Sequence, residues 1–380
     1  MEAQQARAAL NAAFAERRVP GDGAPSGNRL VGVFGNGLPA PLLAAMSLVP
    51  VDVKMAPESA LSVRAPAIGD YIEPFVDDYA RIFLHRLFSG AFDDLRAIVF
   101  CRDDAAALVA YQYALELRRQ GVAQAPAPHL VLWNFVHRTT GPAHAFNRRQ
   151  VERLIVDLAA GLTMDDLESR LPHAVRDEAE RAAALSGLDT LRKARGGSIA
   201  AVDAFRWRNA GRSLESADHA RLLRLALEPA GGEARPSAPR IALIGSALDS
   251  LSFYETLDGI GAIVTDLQPF GEVWPGPPGG ETLDDLLAAV AADRFCPRTE
   301  PATLHREAIV RRCVEDRCDL VIAQLDQNDD SVGWDLPSLR RSLAEHGIPL
   351  VELGFRDHRP DGAWLASARA RVLAQIKEPA

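Results

Sequence analysis

Residues 30–53 read LVGVFGNGLPAPLLAAMSLVPVDV, and this stretch decides the fold class. Leu30–Phe34 and 49–53 are apolar and rich in valine, which predicts two buried strands. Pro39 precedes the run 40–46, and proline is common at the first turn of a helix. The stretch has almost no charge, but its prolines and glycines interrupt it too often for a membrane-spanning helix. It therefore predicts a strand, a helix and a second strand.

The same alternation extends outward in both directions, which is the pattern of a parallel sheet covered by crossover helices. Apolar residues three or four apart predict a helix over 70–89. Further strands are predicted at 96–101, 129–135, 240–245, 262–265, 320–324 and 349–353. Further helices are predicted at 105–119, 250–259, 282–292, 303–315, 336–345 and 364–376.

The middle of the chain lacks strand patterns and predicts consecutive helices, with breaks at Gly161, Pro172, Gly196 and Gly211. Thr163, with an aspartate three residues later, has the pattern of a helix N-cap. The sequence thus predicts an α/β protein with two Rossmann-like (flavodoxin-like) parallel-sheet lobes joined by a helical segment. The expected divisions are a helical extension (1–27), the first lobe (28–142), the helical segment (143–228), a Pro/Gly-rich linker (229–239) and the second lobe (240–380).

Composition excludes several classes of function. Hydrophobic residues make up 48% and charged residues 24% of the 380 positions, a mixture that supports sizeable cores. The net charge of −9 disfavours nucleic acid as a partner. The first 18 residues lack the apolar segment of a secretory signal, so we expect a cytoplasmic protein with no membrane association. Four scattered cysteines are too few for a disulfide framework and are expected to be reduced.

Candidate binding residues lie in the loops that follow the predicted strands, because open α/β sheets bind ligands beyond the carboxyl ends of their strands. These residues are Asn36, Arg102, Asp103, Asp104, Ser246, Asn328, Asp329 and Asp330. Such carboxylates can ligate a hard cation or act as a general base, and they also serve as ordinary helix caps and solvated loop residues. The loop after 240–245 lacks the second and third glycines of a dinucleotide fingerprint, so NAD is not expected.

Taken in order, these segments resemble the 2-hydroxyacyl-CoA dehydratase D-component family, which includes the B and C subunits of benzoyl-CoA reductase. The resemblance covers nearly the whole chain, and it is most specific in the middle. There LTMDDLE (162–168), LRKAR (191–195) and AGRSLESADHARLL (210–223) match the family's helical segment in order and spacing. RIALIGS (240–246), GAIVTD (261–266) and HGIPLVEL (346–353) continue the match.

The resemblance implies a [4Fe–4S] cluster held by three cysteines, one on each of three loops, that delivers an electron to a CoA thioester. At those positions this chain has Glu73, Asp103 and Asn328, the last with Asp329 as the alternative. Carboxylate and amide groups do not replace thiolates as ligands of iron–sulfur clusters. Cys101, two residues before Asp103, is one remaining thiol. We therefore expect no cofactor on the isolated chain, with a [4Fe–4S] cluster as the alternative.

The resemblance implies a subunit of a 2-hydroxyacyl-CoA dehydratase or benzoyl-CoA reductase type. Without its own cluster, the chain is expected to act as the partner or substrate-shaping half of a complex that processes an acyl-CoA. Its partner would be a paralogous subunit or a second copy, and the candidate binding residues would form the acyl-CoA site. The alternative is a ligand-binding or regulatory protein on the same fold that works without a cluster. Two α/β domains with a cleft also describe glycosyltransferases, but those folds have no reason to carry the helical middle.

Overall fold

A computed structural model describes residues 2–18, 29–103, 105–122, 128–194, 199–228, 238–272, 280–296, 301–329 and 332–377. Its strands are β1 (Leu30–Phe34), β2 (Val49–Asp52), β3 (Ala97–Cys101), β4 (His129–Trp133), β5 (Arg240–Gly245), β6 (Ala262–Asp266), β7 (Leu320–Asp326) and β8 (Leu350–Arg356). Its helices are α1 (Ala3–Glu16), α2 (Ala40–Ala45), α3 (Asp78–Phe88), α4 (Ala105–Arg119), α5 (Gly141–Leu158), α6 (Met164–Lys193), α7 (Ala201–Ala210), α8 (Ser216–Ala226), α9 (Leu251–Asp258), α10 (Leu283–Ala291), α11 (Ala302–Glu315), α12 (Leu336–Ala344) and α13 (Gly362–Lys377).

The strands form two four-stranded sheets, and all their pairings are parallel. The order is β2-β1-β3-β4 in the first sheet and β6-β5-β7-β8 in the second. We call each sheet with its covering helices a lobe. In each sheet the second strand in the chain lies on one side of the first, and the next two strands lie on its other side. The strand order therefore reverses between β1 and β3 and between β5 and β7, and a crevice opens at each of these points. The predicted fold class is confirmed.

The helix predicted over 70–89 begins only at Asp78, so the prediction is wrong for its first eight residues. The Asp77 carboxylate caps this helix by accepting hydrogen bonds from the backbone N–H groups of Tyr79 (2.8 Å) and Ala80 (3.3 Å). Pro74 explains the late start, because proline has no N–H and holds the residue before it in extended conformation. Phe75, which the periodicity placed on the buried face, is 72% exposed.

Along the chain, helices α5 to α8 follow one another between the last strand of the first sheet and the first strand of the second. The predicted break at Pro172 is wrong, because α6 runs through it for 30 residues. Packing overrides the local cost of the proline, since Leu167, Leu171 and Val175 on either side of it are buried. Thr163 and Asp166 form the capping box that starts this helix. Most of the predicted linker lies outside the described residues, and the domain limits stay a prediction.

One apolar core connects the lobes with the helical segment. It contains Phe34 of β1, Phe253 of α9 and Leu188 of α6. Helix α1 joins the same core through Leu10 and packs on α7 and α8. No helix among the described residues is long and apolar enough to cross a membrane. The lobes therefore hold their strand ends in a fixed arrangement, and a cavity lies where those ends meet.

Candidate functional site

A cavity of about 290 Å³ lies beyond the carboxyl ends of strands from both sheets. The loops after β1, β3 and β4 contribute its polar side, through Asn36, Gly37, Asp103 and His137. The second lobe contributes an apolar wall made of Ile244, Leu267, Phe295, Ile309, Val332, Leu336 and Leu339. The lining also includes Val290, Asp293, Cys296, His305, Trp334 and Asp335.

Asn36 lies between the lobes and makes hydrogen bonds to both. Its backbone N–H donates to Oδ2 of Asp103 (2.7 Å), and its side-chain amide donates to the carbonyl of Pro269 (2.7 Å). Gly35 precedes it with a φ of 109°, where a Cβ would collide with the Asp103 carboxylate. Glycine is therefore required for the close approach of β1 to the loop after β3.

Arg212, from the helical segment, holds the loop after β1 in place through its hydrogen bonds. Its guanidinium donates to Oδ2 of Asp52 (2.5 Å), to Oδ1 of Asn36 (2.6 Å) and to the carbonyl of Gly35 (2.9 Å). The ion pair with Asp52 is almost completely buried. A buried arginine with three acceptors holds the Asn36 side chain in one orientation. Arg212 lies 160 residues from Asp52 in the chain, so no local pattern in the sequence indicates this role.

The cavity brings together only some of the predicted binding residues. Asn36 and Asp103 line it. The Ser246 hydroxyl is buried beside it and accepts the backbone N–H of Asp326 (3.0 Å). Arg102 instead donates to Oδ1 of Asn134 (3.1 Å) and is absent from the described lining.

The remaining predicted residues lie around the end of β7 or outside the described part of the chain. Asn328 and Asp329 are half-buried in the turn after β7 and do not line the cavity. The backbone N–H of each bonds within that turn, to the side chain and the carbonyl of Asp326. Asp104 and Asp330 lie outside the described residues.

Five titratable residues of the described lining are not among the predicted binding residues: His137, Asp293, Cys296, His305 and Asp335. His137, Asp293 and Cys296 follow predicted strands or helices, whereas His305 lies within the helix predicted at 303–315. No short motif links these residues. Burial raises the pKa of Asp293, against the opposing effects of the Phe295 N–H and of His305 and Arg294. For Asp293, Cys296 and His305, the signal in the sequence is the mixture of acidic, thiol and imidazole groups over 293–305.

The positions that the resemblance assigns to cluster ligands do not fit an iron–sulfur cluster. Glu73 is exposed in the turn before α3, and Asp103 is engaged with Asn36. Cys101 is fully buried in β3 and packs in the apolar core with Val31 and Val99. Within the described ranges, no group of three or more His, Cys, Asp or Glu residues could hold a metal ion. Oxygen and amide donors at these loops do not supply the soft ligation that such clusters need.

Cys296, Cys313 and Cys318 are also buried. Cys313 and Cys318 pack in the core on one face of the second sheet, and the Cys318 thiol donates to the Thr265 hydroxyl (3.6 Å). These two cysteines therefore act as core residues.

The structure defines an α/β protein with two parallel-sheet lobes and a cavity at the carboxyl ends of strands from both sheets. A family model described as 2-hydroxyglutaryl-CoA dehydratase, D-component, matches residues 37–374. The chain therefore belongs to this family, and the predicted resemblance is confirmed. No curated protein matches the chain. Helix α1 precedes the matched residues.

Proposed function

We propose that the chain is the cluster-free, substrate-shaping subunit of a complex that processes a 2-hydroxyacyl-CoA, and that the cavity holds the acyl group. The cavity carries the proposal, because it lies at the carboxyl ends of strands in both sheets and joins a polar side to an apolar wall. Its volume of about 290 Å³ is near the lower end of ordinary ligand pockets. An acyl chain of moderate length suits that volume and that wall.

The charges of the lining indicate which end of an acyl-CoA the cavity would hold. The lining contains Asp103, Asp293 and Asp335 but no lysine or arginine among the described residues. Asp335 is paired with Arg306 at 2.8 Å, which offsets one of the three. Phosphates would be repelled inside, so the nucleotide end of the thioester would stay outside the cavity.

The residues at the three expected ligand positions, Glu73, Asp103 and Asn328, offer oxygen or amide donors instead of thiolates. This supports the absence of a cluster from this subunit. A partner subunit that holds the redox centre would then carry out the electron transfer. In that arrangement this chain contributes the shape of the acyl pocket and an interface. The alternative, a regulatory protein on the same fold, is separated from this proposal by the binding experiment below.

The first experiment measures iron and acid-labile sulfide after anaerobic purification, alone and together with candidate partner subunits. The isolated chain is expected to contain far less than one iron per molecule. A [4Fe–4S] ferredoxin purified in parallel is the positive control. About four irons and four sulfides per chain, with broad visible absorption, would contradict the cluster-free assignment. Cys101→Ser tests the remaining thiol, and it is expected to leave the iron content unchanged.

The second experiment measures acyl-CoA binding by calorimetry, with CoA itself as the reference ligand. Ile309 of α11 lines the cavity, whereas Val314 of the same helix is 41% exposed. Ile309→Phe reduces the cavity and is expected to weaken binding at least tenfold, with Val314→Phe as the matched control. If no acyl-CoA binds to the chain, alone or with its partner, the acyl pocket is wrong and the regulatory alternative is favoured.

A further inference from the structure

One ring nitrogen of His305 is held by the protein backbone at the edge of the cavity. It lies on the first turns of α11, is half-buried and lines the cavity. Its Nδ1 lies 2.8 Å from the backbone carbonyl of Arg294. A carbonyl oxygen can only accept, so Nδ1 carries the proton in this contact and Nε2 of the neutral ring keeps its lone pair.

No described residue hydrogen-bonds to Nε2 of His305. The contact with Arg294 also orients the ring, as backbone acceptors do for functional histidines in other proteins. Its surroundings in the cavity include Asp293, which precedes Arg294, and the apolar side chains of Ile309 and Phe295. A ring acceptor that no described residue satisfies, in a lining that also holds apolar side chains, favours a ligand group that donates a hydrogen bond.

We propose that Nε2 of His305 accepts a hydrogen bond from the hydroxyl group of the bound acyl chain and thereby selects hydroxyacyl over unsubstituted acyl ligands. The inference rests on the proposed function, because it assumes that the cavity holds the acyl group. His305 is then a specificity-determining residue. An acyl chain without the hydroxyl would leave Nε2 without a donor inside the cavity, which is unfavourable.

The test compares 2-hydroxyhexanoyl-CoA with hexanoyl-CoA, which differ by one hydroxyl group, using calorimetry on the full chain. The wild-type protein is expected to bind the hydroxy ligand about fivefold more tightly. His305→Phe keeps a ring of similar size without the acceptor and is expected to abolish the preference. His305→Gln places an amide oxygen near the position of Nε2 and is expected to restore part of it.

His173→Phe is the matched control, because the His173 side chain is 80% exposed on α6. It is expected to keep the wild-type preference. Thermal unfolding of each variant shows whether the fold is retained. Long-range ¹H–¹⁵N NMR spectra of the histidine rings, assigned by comparison with His305→Gln, report the tautomer without any ligand.

The outcomes separate the two proposals. If both thioesters bind equally to the wild-type protein, or if His305→Phe keeps the preference, the role of His305 is wrong while the acyl pocket stands. An Nε2–H tautomer for His305 overturns the inference independently of binding. If neither thioester binds, the proposed function fails and the role of His305 fails with it.

Discussion

Two glycines at equivalent places set the conformation of the strand ends. Gly35 directly follows β1 and Gly245 is the last residue of β5, and their φ values are 109° and 128°. Residues with a side chain rarely adopt these φ values, so each position requires glycine. The result at Gly35 is the close contact with Asp103, and the result at Gly245 is a tight approach to the backbone of β7.

Gly245→Ala is expected to lower the free energy of unfolding by about 3–5 kcal/mol, because backbone strain and a steric collision add. Its Cβ would collide with the backbone carbonyl of Gln324. Gly347→Ala is the control, since Gly347 has a φ of 70° and nothing within 4 Å of its added Cβ. That change is expected to cost about 1–2 kcal/mol from strain alone. Equal costs in urea unfolding would show that the collision is relieved.

His219 makes stability depend on pH. It is fully buried, and Nε2 donates to the carbonyl of Trp207 (2.8 Å). Burial, together with Arg181 and Arg208, lowers its pKa to about 3. An unfolded histidine has a pKa of about 6.5, so below that pH the unfolded state binds the extra proton and stability falls.

His219→Gln is therefore expected to reduce the loss of stability on going from pH 7 to pH 5. This histidine accounts for about 2 kcal/mol of that loss. Urea titrations at several pH values measure it, and the exposed His173→Gln serves as the control that keeps the wild-type slope. An unchanged slope in His219→Gln would mean that the ring is already charged in the folded protein.

At the scale of elements, local sequence signals and packing disagreed at two helices. The capping box of α6 follows directly from Thr163 and Asp166, because both hydrogen bonds join residues three apart. The start of α3 was misplaced, because apolar periodicity continued into a turn that Pro74 keeps out of the helix. Helix α6 shows the reverse, since a proline that predicts a break lies within continuous helix.

Pro172→Ala tests how much stability the protein loses because α6 contains a proline. The substitution restores a backbone donor and removes the ring from the preceding turn, so we expect the free energy of unfolding to rise by about 1–3 kcal/mol. Pro301→Ala is the control, because Pro301 lies at the N-cap of α11, where no helical hydrogen bond is lost. That change is expected to stay within about 0.5 kcal/mol. A destabilised Pro172→Ala protein would show that the helix is adapted to the proline.

At the scale of the whole molecule, Asp249 connects the lobes. The Tyr79 hydroxyl of α3 in the first lobe donates to its Oδ1 (3.0 Å), and Arg359 donates to its Oδ2 (3.1 Å). Burial raises the pKa of Asp249, but Arg359, His358, Arg17 and the Tyr79 hydrogen bond outweigh it and hold the pKa below its usual value. This carboxylate is therefore charged at neutral pH and is the acceptor of an interlobe hydrogen bond.

Tyr79→Phe is expected to lower the free energy of unfolding by about 1.5–3 kcal/mol at pH 7, because a buried carboxylate loses a donor. Tyr111→Phe is the control, since the Tyr111 ring packs on Phe100 and its hydroxyl has no hydrogen bond within the described part of the chain. Because the folded pKa of Asp249 is lowered, its contribution is fully present above the unfolded pKa of about 4 and is lost as the pH falls from there through the lower folded pKa. The difference between Tyr79→Phe and wild type should shrink accordingly in acid, and a constant difference would contradict a charged acceptor.

The sequence by itself determined the fold class, the order of strands and most helices, the capping box at Thr163, and the family. These properties depend on residues close together in the chain, whose apolar period and turn chemistry act locally. It also indicated the loops after β1 and β3, because the carboxyl ends of parallel strands are the general place for ligands.

Only the tertiary structure decided the composition of the cavity. Arg212 reaches Asp52 and Asn36 from the helical segment, and His305 and Asp293 line the same cavity as Asp103. The predicted residues Arg102 and Asn328 lie on loops of the right sheets, yet neither lines the cavity, and the Arg102 side chain donates to Asn134 instead. Side-chain direction and contacts between distant segments depend on the packing of both lobes, which no local pattern in the sequence specifies.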